Sequence, residues 1–265
     1  MCGHRGGVPM IAAERRAAIL ELIRTQHVVS LQEIVSATGT SPATVRRDLH
    51  ALETGGLLDR RHGGAVLPGG LDSEQSYRQK TRVAIDEKHS IAEQALELIE
   101  DGDAVLLGAG STTHELARRL RRRSELTVLT NSLLVAQALA STNAEVVMTG
   151  GTLRGSTFSL VGEAAERSLA GLRVRTAFIS GNGLTASRGL STPNMLVAAM
   201  DRALVATASD VVVLADHTKI GIDTMYQTVP PEHLSRLITD ASADRAILQE
   251  LRALGVTVDI AASGG

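Results

Sequence analysis

Cysteine is nearly absent: Cys2 is the single one in 265 residues. One thiol cannot build an internal disulfide framework, and this usage fits a reducing cytosol. Aromatic residues are almost as scarce, at 2%, with two Tyr, two Phe and no Trp. Recognition of single-stranded nucleic acid on stacked aromatic platforms is thereby disfavoured, and the cores must be built from Ala, Val, Leu and Ile. No apolar run approaches the ~18 residues needed to cross a bilayer. The opening stretch 1–9 has no apolar segment of the signal-peptide kind and reads as a tail, with Met10 as an alternative native start. The eight histidines are scattered, none paired with Cys, Asp or Glu at ligand spacing, so neither a metal nor a cofactor is expected. Charge of one sign is not in excess either, the net balance being −2.

The charge is distributed unevenly. Residues 1–66 carry 8 Lys+Arg against 6 Asp+Glu, and the remainder carries 19 against 23. A uniformly basic chain would suggest indiscriminate binding to nucleic acid. Here the positive charge gathers at Arg46, Arg47, Arg60 and Arg61, inside a segment with strong helix punctuation. Ser30 precedes Glu33 by three residues, the spacing of a capping box, and Val29 and Ile34 fit the hydrophobic staple around it. The first helix is predicted to end near Thr38, with Gly39 as its left-handed stop. Ser41 then caps a second helix whose first position, Pro42, loses nothing by lacking an N–H. Two capped helices about a short Gly-containing turn make a helix-turn-helix.

On the second helix Val45, Leu49 and Leu52 share one stripe and are predicted to be buried. Arg47 falls opposite, flanked by Ala43, His50 and Thr54, with Thr44 and Arg46 on the shoulders. Such a helix can enter a major groove, where Arg grips guanine bidentately while shoulder residues hold phosphate. The following run from Leu57 to Val66 has two β-prone pieces around a basic tip and a Gly-Gly turn, as in a wing.

Residues 10–66 thus resemble the N-terminal domain of the DeoR family of bacterial transcriptional regulators. The resemblance rests on Ser41-Pro42-Ala43-Thr44-Val45-Arg46-Arg47-Asp48-Leu49 followed by Arg60-Arg61-His62-Gly63-Gly64-Ala65. It implies a winged helix-turn-helix bound to double-stranded operator DNA. Arg47, His50 and Ala43 would face base edges, and Ser41, Thr44, Arg46, Arg60, Arg61 and His62 would hold phosphate or an adjoining groove.

The stretch 67–85 reads as a linker in its first half, with Tyr77, Arg78 and the charged run to Lys88 leading into a helix packed on a domain. Beyond it, helices over 87–99, 114–121, 133–140, 196–207 and 244–254 alternate with apolar strands. The strands are expected at 104–107, 126–129, 145–148, 176–179, 211–215, 236–239 and 256–260. That alternation predicts an α/β domain over 86–260 with a largely parallel sheet, and ligands in such folds sit beyond the carboxyl ends of the strands. The loop Gly108-Ala109-Gly110-Ser111-Thr112-Thr113 follows one strand and opens a helix, a combination suited to an anion. No Lys follows as in a Walker loop, and the third glycine of a dinucleotide fingerprint is missing.

Together with Thr130-Asn131-Ser132, Thr149-Gly150-Gly151, Ser180-Gly181-Asn182-Gly183, Asp216-His217-Thr218-Lys219 and Ile238-Thr239-Asp240, this loop resembles the DeoR sensor domain. The resemblance implies a fold like that of ribose-5-phosphate isomerases and CoA transferases, and a phosphorylated effector. Its contacts would be Gly110, Ser111, Thr112, Thr113, Asn131, Ser132, Gly150, Gly151, Asn182 and Lys219. It also implies a repressor of a carbohydrate operon. The single cysteine fits the cytoplasm, and a DNA-binding module so lightly charged needs two copies, so a homodimer or homotetramer held through 86–260 is expected.

Two family carboxylates are missing, one where Gly108 stands and one near Val197. The effector is therefore expected to carry fewer hydroxyls than common hexose and pentose phosphates, or a second anionic group. Gly108-Ala109-Gly110-Ser111-Thr112 is also similar to the phosphate loop of ribose-5-phosphate isomerase, but the acidic D-G-A-D-E and basic K-G-G-G motifs of that enzyme are absent. An enzyme is not expected.

Overall fold

The computed structural model describes residues 11–26, 28–55, 57–61, 64–66 and 74–262. The chain divides into two compact units, 1–73 and 74–265.

The smaller unit has helices α1 (Ala12–Gln26), α2 (Leu31–Thr38) and α3 (Pro42–Thr54) and strands β1 (Val28–Ser30), β2 (Asp59–Arg61) and β3 (Gly64–Val66). Its helix boundaries follow from the punctuation in the sequence. Ser30 and Glu33 close a reciprocal capping box on α2, and Gly39 ends that helix at φ 62°, donating its N–H to Val35. Ser41 caps α3 by accepting from the Thr44 N–H. Strands β2 and β3 form an antiparallel hairpin, and β1 adds to its free side. Ile19, Ile23, Val29, Ile34, Val45, Leu49, Leu52 and Leu58 make one aliphatic core.

The larger unit begins with α4 (Tyr77–Lys80) and α5 (Ile85–Leu96), followed by β4 (Ala104–Leu107), α6 (Ser111–Leu120), β5 (Thr127–Thr130), α7 (Leu133–Leu139) and β6 (Glu145–Met148). A hairpin of β7 (Thr152–Arg154) and β8 (Ser159–Val161) leads to α8 (Glu163–Ser168), β9 (Val174–Ile179), β10 (Gly183–Thr185), β11 (Gly189–Thr192) and α9 (Met195–Val205). The chain closes with β12 (Ala208–Leu214), β13 (Tyr226–Val229), β14 (Arg236–Asp240), α10 (Arg245–Ala253) and β15 (Thr257–Ala261).

Seven strands form one sheet in the order β15-β14-β12-β9-β4-β5-β6, and every neighbouring pair is parallel. Both faces are covered, which is why the strands are apolar at successive positions. Val105 and Leu107 of β4 pack under α5, α6 and α7, whereas Leu106 between them faces the core beneath α9 and α10. Phe178, fully buried, is the largest side chain within. The sheet matches the expected parallel α/β domain. Two small antiparallel elements were not foreseen, the β7–β8 hairpin and the sheet β10-β11-β13.

Strand order reverses at β4, which pairs with β5 on one side and with β9 on the other. The loops leaving β4 and β9 therefore diverge, and a crevice opens between them.

Candidate functional sites

In the smaller unit, α3 presents the face that the wheel predicts. Val45, Leu49 and Leu52 are buried, while Ala43, Arg46, Arg47, His50 and Thr54 are exposed. Ser41 is exposed and Thr44 half-buried, their hydroxyls 3.0 Å apart. His50 lies 3.6 Å from Glu53 one turn on. His62 and the side chains of Arg60 and Arg61 lie outside the described residues.

Sequence reasoning passed over Asp48, which is 2% exposed. Its two oxygens take the Nε donors of Arg15 at 2.5 Å and Arg16 at 3.0 Å, both on α1. Burial pushes this carboxyl up, but the hydrogen bonds and charges of the two guanidiniums outweigh it and hold the pKa below the usual value. Asp48 thus ties α3 to α1.

The larger unit has its cleft at the switch point. The walls come from the loop after β4 (Ala109, Gly110, Ser111, Thr112), from Asn131 after β5, from Ser180, Gly181 and Asn182 after β9, and from Asp216 and Lys219 after β12. Val197 and Asp201 of α9, Thr157 and Ser159 of the hairpin, and Glu74, Tyr77 and Lys80 complete it. Gly110 begins α6 with no capping side chain, and Gly110, Ser111 and Thr112 of this helix start line the crevice. A side chain there would press on Ser180 at 3.0 Å and Thr113 at 3.1 Å, so glycine keeps this corner open.

Of the residues expected to touch an effector, Gly110, Ser111, Thr112, Asn131, Asn182 and Lys219 line this cleft. Thr113, Ser132, Gly150 and Gly151 stand outside its wall. Thr113 is fully buried and bonds back to the Gly110 carbonyl, and Ser132 caps α7. Gly150 and Gly151 form a left-handed turn, the latter packed against Ala165. Asn131 is at the cleft but fully engaged, accepting from Ala109 N–H at 3.0 Å and donating to Leu160 at 3.2 Å. It holds the loop in place.

The segment 74–80, read from sequence as part of the linker stretch, packs into this unit. The Glu74 carboxylate accepts from both terminal nitrogens of Arg154 at 2.9 and 2.5 Å. Ser76 and Gln79 form a capping box on α4. The Tyr77 hydroxyl lies 2.6 Å from His114 Nδ1, and its ring meets those of His114 and Phe158 edge to face. Burial pushes the His114 pKa down and the Tyr77 pKa up, the latter with help from Glu115. Lys88 donates to the carbonyls of Lys80 and Val83 and lies 3.5 Å from Asp216. Asp216 also caps the turn at Thr218.

With Glu74 and Asp216 engaged, three charged groups of the cleft have no hydrogen bond or ion pair among the described residues: Lys80, Lys219 and Asp201. Asp201 is 5% exposed. Burial pushes its pKa up to about 8, opposed by the charges of Lys80 and Arg202 and aided by Glu74. Burial likewise pushes Lys80 down to about 8, with Lys219 and Lys88 adding to the fall and Glu74 and Asp201 opposing it. The carboxylates missing at Gly108 and near Val197 are not the whole account of this cleft, because Asp201, which sequence reasoning passed over, lines it. Position 197 is apolar, but Asp201 stands one helical turn further along the same face of α9.

Comparison with known proteins agrees with both units. Residues 15–69 match the family described as DeoR-like helix-turn-helix domain, and residues 83–241 match the DeoR C terminal sensor domain. The chain belongs to the DeoR family. It is 37% identical over 249 residues to the HTH-type transcriptional regulator GlpR of Haloferax volcanii, covering 94% of this chain and 98% of that one. It is 32% identical to the putative aga operon transcriptional repressor of Escherichia coli O157:H7, over 93% of each. Similarity to the lactose phosphotransferase system repressor of Streptococcus mutans is 34%, over 87% of this chain and 93% of that one. Among solved structures, ribose 5-phosphate isomerase A of Methanocaldococcus jannaschii aligns with a TM-score of 0.40 at 20% identity, over 52% of this chain and 55% of that one.

As a DeoR-family member the chain is a DNA-binding transcriptional regulator, with operator DNA as one partner and a small-molecule effector in the sensor domain as the other. No helix among the described residues is long and apolar enough to cross a membrane.

Proposed function

We propose that the chain is a cytoplasmic repressor of a carbohydrate-metabolism operon, released from its operator by a phosphorylated metabolite. The observation that carries this reading is the cleft: an uncapped helix start and the free ammonium of Lys219 converge where strand order reverses. Backbone N–H groups and a lysine there suit the oxygens of a phosphate. The printed names of the relatives, an aga operon repressor and a lactose phosphotransferase system repressor, support a sugar-related pathway. The chain matches these two named repressors over 93% of their length, which supports binding of the metabolite rather than its turnover.

On the DNA side, Arg47, His50 and Ala43 read base edges, while Ser41, Thr44 and Arg46, with Arg60, Arg61 and His62 of the wing, hold the backbone. The exposure of the α3 residues supports this division. A module with so few cations binds weakly alone, because phosphate neutralisation drives much of the affinity. Two copies held through the sensor unit supply the rest, so the working form is a homodimer or homotetramer.

Sequencing the genomic fragments retained by the purified protein, then eluting them with a panel of phosphorylated metabolites, tests the whole reading. A single recurrent site beside sugar-metabolism genes is expected, with release by one class of phosphate ester and weakened release in Lys219→Ala. Fragments without a shared site, or release by an uncharged sugar regardless of Lys219, would refute it. Sedimentation at micromolar concentration checks the assembly, and a monomer with full operator affinity would contradict it.

A further inference from the structure

Strand β6 reads Glu145-Val146-Val147-Met148, apolar at successive positions like a strand buried on both faces. It is nevertheless the last strand of its sheet, and among the described residues nothing pairs with its outer side. Val147 and Met148 point to opposite faces, yet they are 38% and 40% exposed. The outer main chain is open as well. Glu145 donates to Leu126 and Thr149 to Thr130, both towards β5, so the alternation turns the N–H and C=O groups of Val146 and Met148 outward. Edge strands are commonly blunted by lysine, proline or a bulge, and β6 has none of these. The opposite edge is protected. On β15, Thr257 donates inward to Ser235, and the outward carbonyl of Val258 accepts from Arg252 at 3.3 Å. Asp259 beside it is paired with Arg236.

The open edge is complementary to itself. Its outward residues, Val146 and Met148, stand symmetrically about Val147. With a two-fold axis at Val147, each of them faces the other on the partner and exchanges both N–H···O bonds with it. Val147 then meets its own copy, and Glu145 lies opposite Thr149, so no like charges are opposed. Addition of β6 to β15 of another copy would instead build an open filament, and the engaged Val258 carbonyl stands against it. We propose that β6 is the seam between two copies of the chain, pairing antiparallel with its own copy so that the two seven-stranded sheets become one. The proposal rests on the reading that the working form holds two copies through this unit, and it names the surface that joins them. Leu133 and Leu153 are exposed too, at the start of the helix beside β6 and in the hairpin strand that follows it. They supply further apolar area towards the ~1,200–2,000 Å² that a stable interface buries.

Sedimentation equilibrium of the full chain tests the seam. Val147→Lys and Val147→Glu, each alone, place like charges face to face on the axis. Each should halve the assembled mass at micromolar concentration and raise the dissociation constant by about tenfold or more. An equimolar mixture of the two should recover the wild-type mass, because only the mixed pair opposes unlike charges. Cross-linking gives a second readout, with Cys2→Ser removing the natural thiol. Directly opposed residues of a non-hydrogen-bonded pair have Cα atoms ~4.5 Å apart, within the ~4.4–6.8 Å that a disulfide spans. Val147→Cys should therefore form a covalent dimer on mild oxidation. Glu145→Cys should not, since four residues of strand hold it ~13 Å from its own copy.

An unchanged assembled mass in both charged variants would overturn the seam and leave the two-copy reading standing. The same holds if the mixture fails to reassemble, or if Glu145→Cys cross-links as readily as Val147→Cys. A wild-type chain that stays monomeric at micromolar concentration would overturn both. Circular dichroism confirms that each variant is folded, and the small Val147→Cys change keeps the test open should a charged variant unfold.

Discussion

Replacing Asp48 with Ala should cost the DNA-binding unit about half of its stability without touching a residue that faces DNA. The Asp48 side chain is 4% exposed, that of Arg15 12% and that of Arg16 43%. Breaking a buried pair costs roughly 3–5 kcal/mol, whereas a half-exposed pair contributes about 1 kcal/mol or less. A loss of about 3 kcal/mol is expected, mostly through Arg15. A unit of this size has only about 6 kcal/mol in total at ~0.1 kcal/mol per residue. With an m-value near 1.5 kcal/mol/M, the urea midpoint of this unit should fall by about 2 M. Far-ultraviolet circular dichroism follows the transition, and operator binding at low urea follows its consequence. Arg16→Met should lower stability by less than about 1 kcal/mol. The acid side supplies a second check. The Asp48 pKa lies below its ordinary value, so its contribution is complete above that value and is lost as pH falls through the lowered one. Stability of Asp48→Ala should therefore depend less on pH in that acid window. Loss of under about 1 kcal/mol in Asp48→Ala, or equal losses in Asp48→Ala and Arg16→Met, would refute the clamp.

Arg47→Ala should weaken operator binding by about 1–3 kcal/mol and blur one base position, while Thr44→Ala should weaken all sequences alike; single-base operator variants measure both, and unchanged preference in Arg47→Ala removes its base-reading role. Asp201, raised to about 8 with Lys80, Arg202 and Glu74 around it, binds more protons folded than unfolded above its ordinary 3.8. Stability should therefore fall between about pH 4 and 8, by no more than about 1.4 kcal/mol per pH unit for one proton. Asp201→Asn should remove that limb, and an unchanged melting-temperature profile in this variant would count against the burial argument. Lys80, lowered to about 8, adds the opposite limb, a gain as pH rises from about 8 towards 10.5. Glu74→Gln should leave effector affinity within about threefold but reduce the effector's power to release operator, because Glu74 and its Arg154 pair anchor the first segment of the larger unit. Full release at ordinary effector concentration would show that this segment carries no signal.

The smaller unit was legible because its signals are local. Ser30, Glu33, Gly39, Ser41 and Pro42 each act within four residues, and each does in the structure what its chemistry predicts. The parallel sheet was legible for a different reason, since strands buried on both faces must be apolar at successive positions. What depends on distant partners was not. Residues 152–161 and 183–192 are short and rich in Gly, Ser and Thr, and they become strands only because the hairpin and the small sheet supply hydrogen-bond partners. Tyr77 and Arg78 were expected to lead into a packed helix, but what holds them was not legible, because Tyr77 is held by His114 and Phe158, far away in sequence. The clamp on Asp48 likewise needs α1, whose arginines are 32 and 33 residues upstream.

Asp201 is the instructive omission, because its signal was present. Helix α9 buries Ala198, Leu204 and Val205, and Asp201 falls three and four residues from these on the same stripe. A carboxyl inside an apolar stripe is either matched to a partner or turned into a cavity, and it marks a site before any motif is consulted. Motif reading looked instead at position 197 and recorded a loss. A side chain at 108 would meet the Ile179 Cδ1 atom at 2.9 Å, the far end of a side chain that can turn aside. With glycine at 108 and position 197 apolar, the face of α9 still offers one place a turn away that lines the same crevice. Residues four apart on a helix share one face, so a carboxyl at 201 reaches the same cleft that an acid at 197 would line.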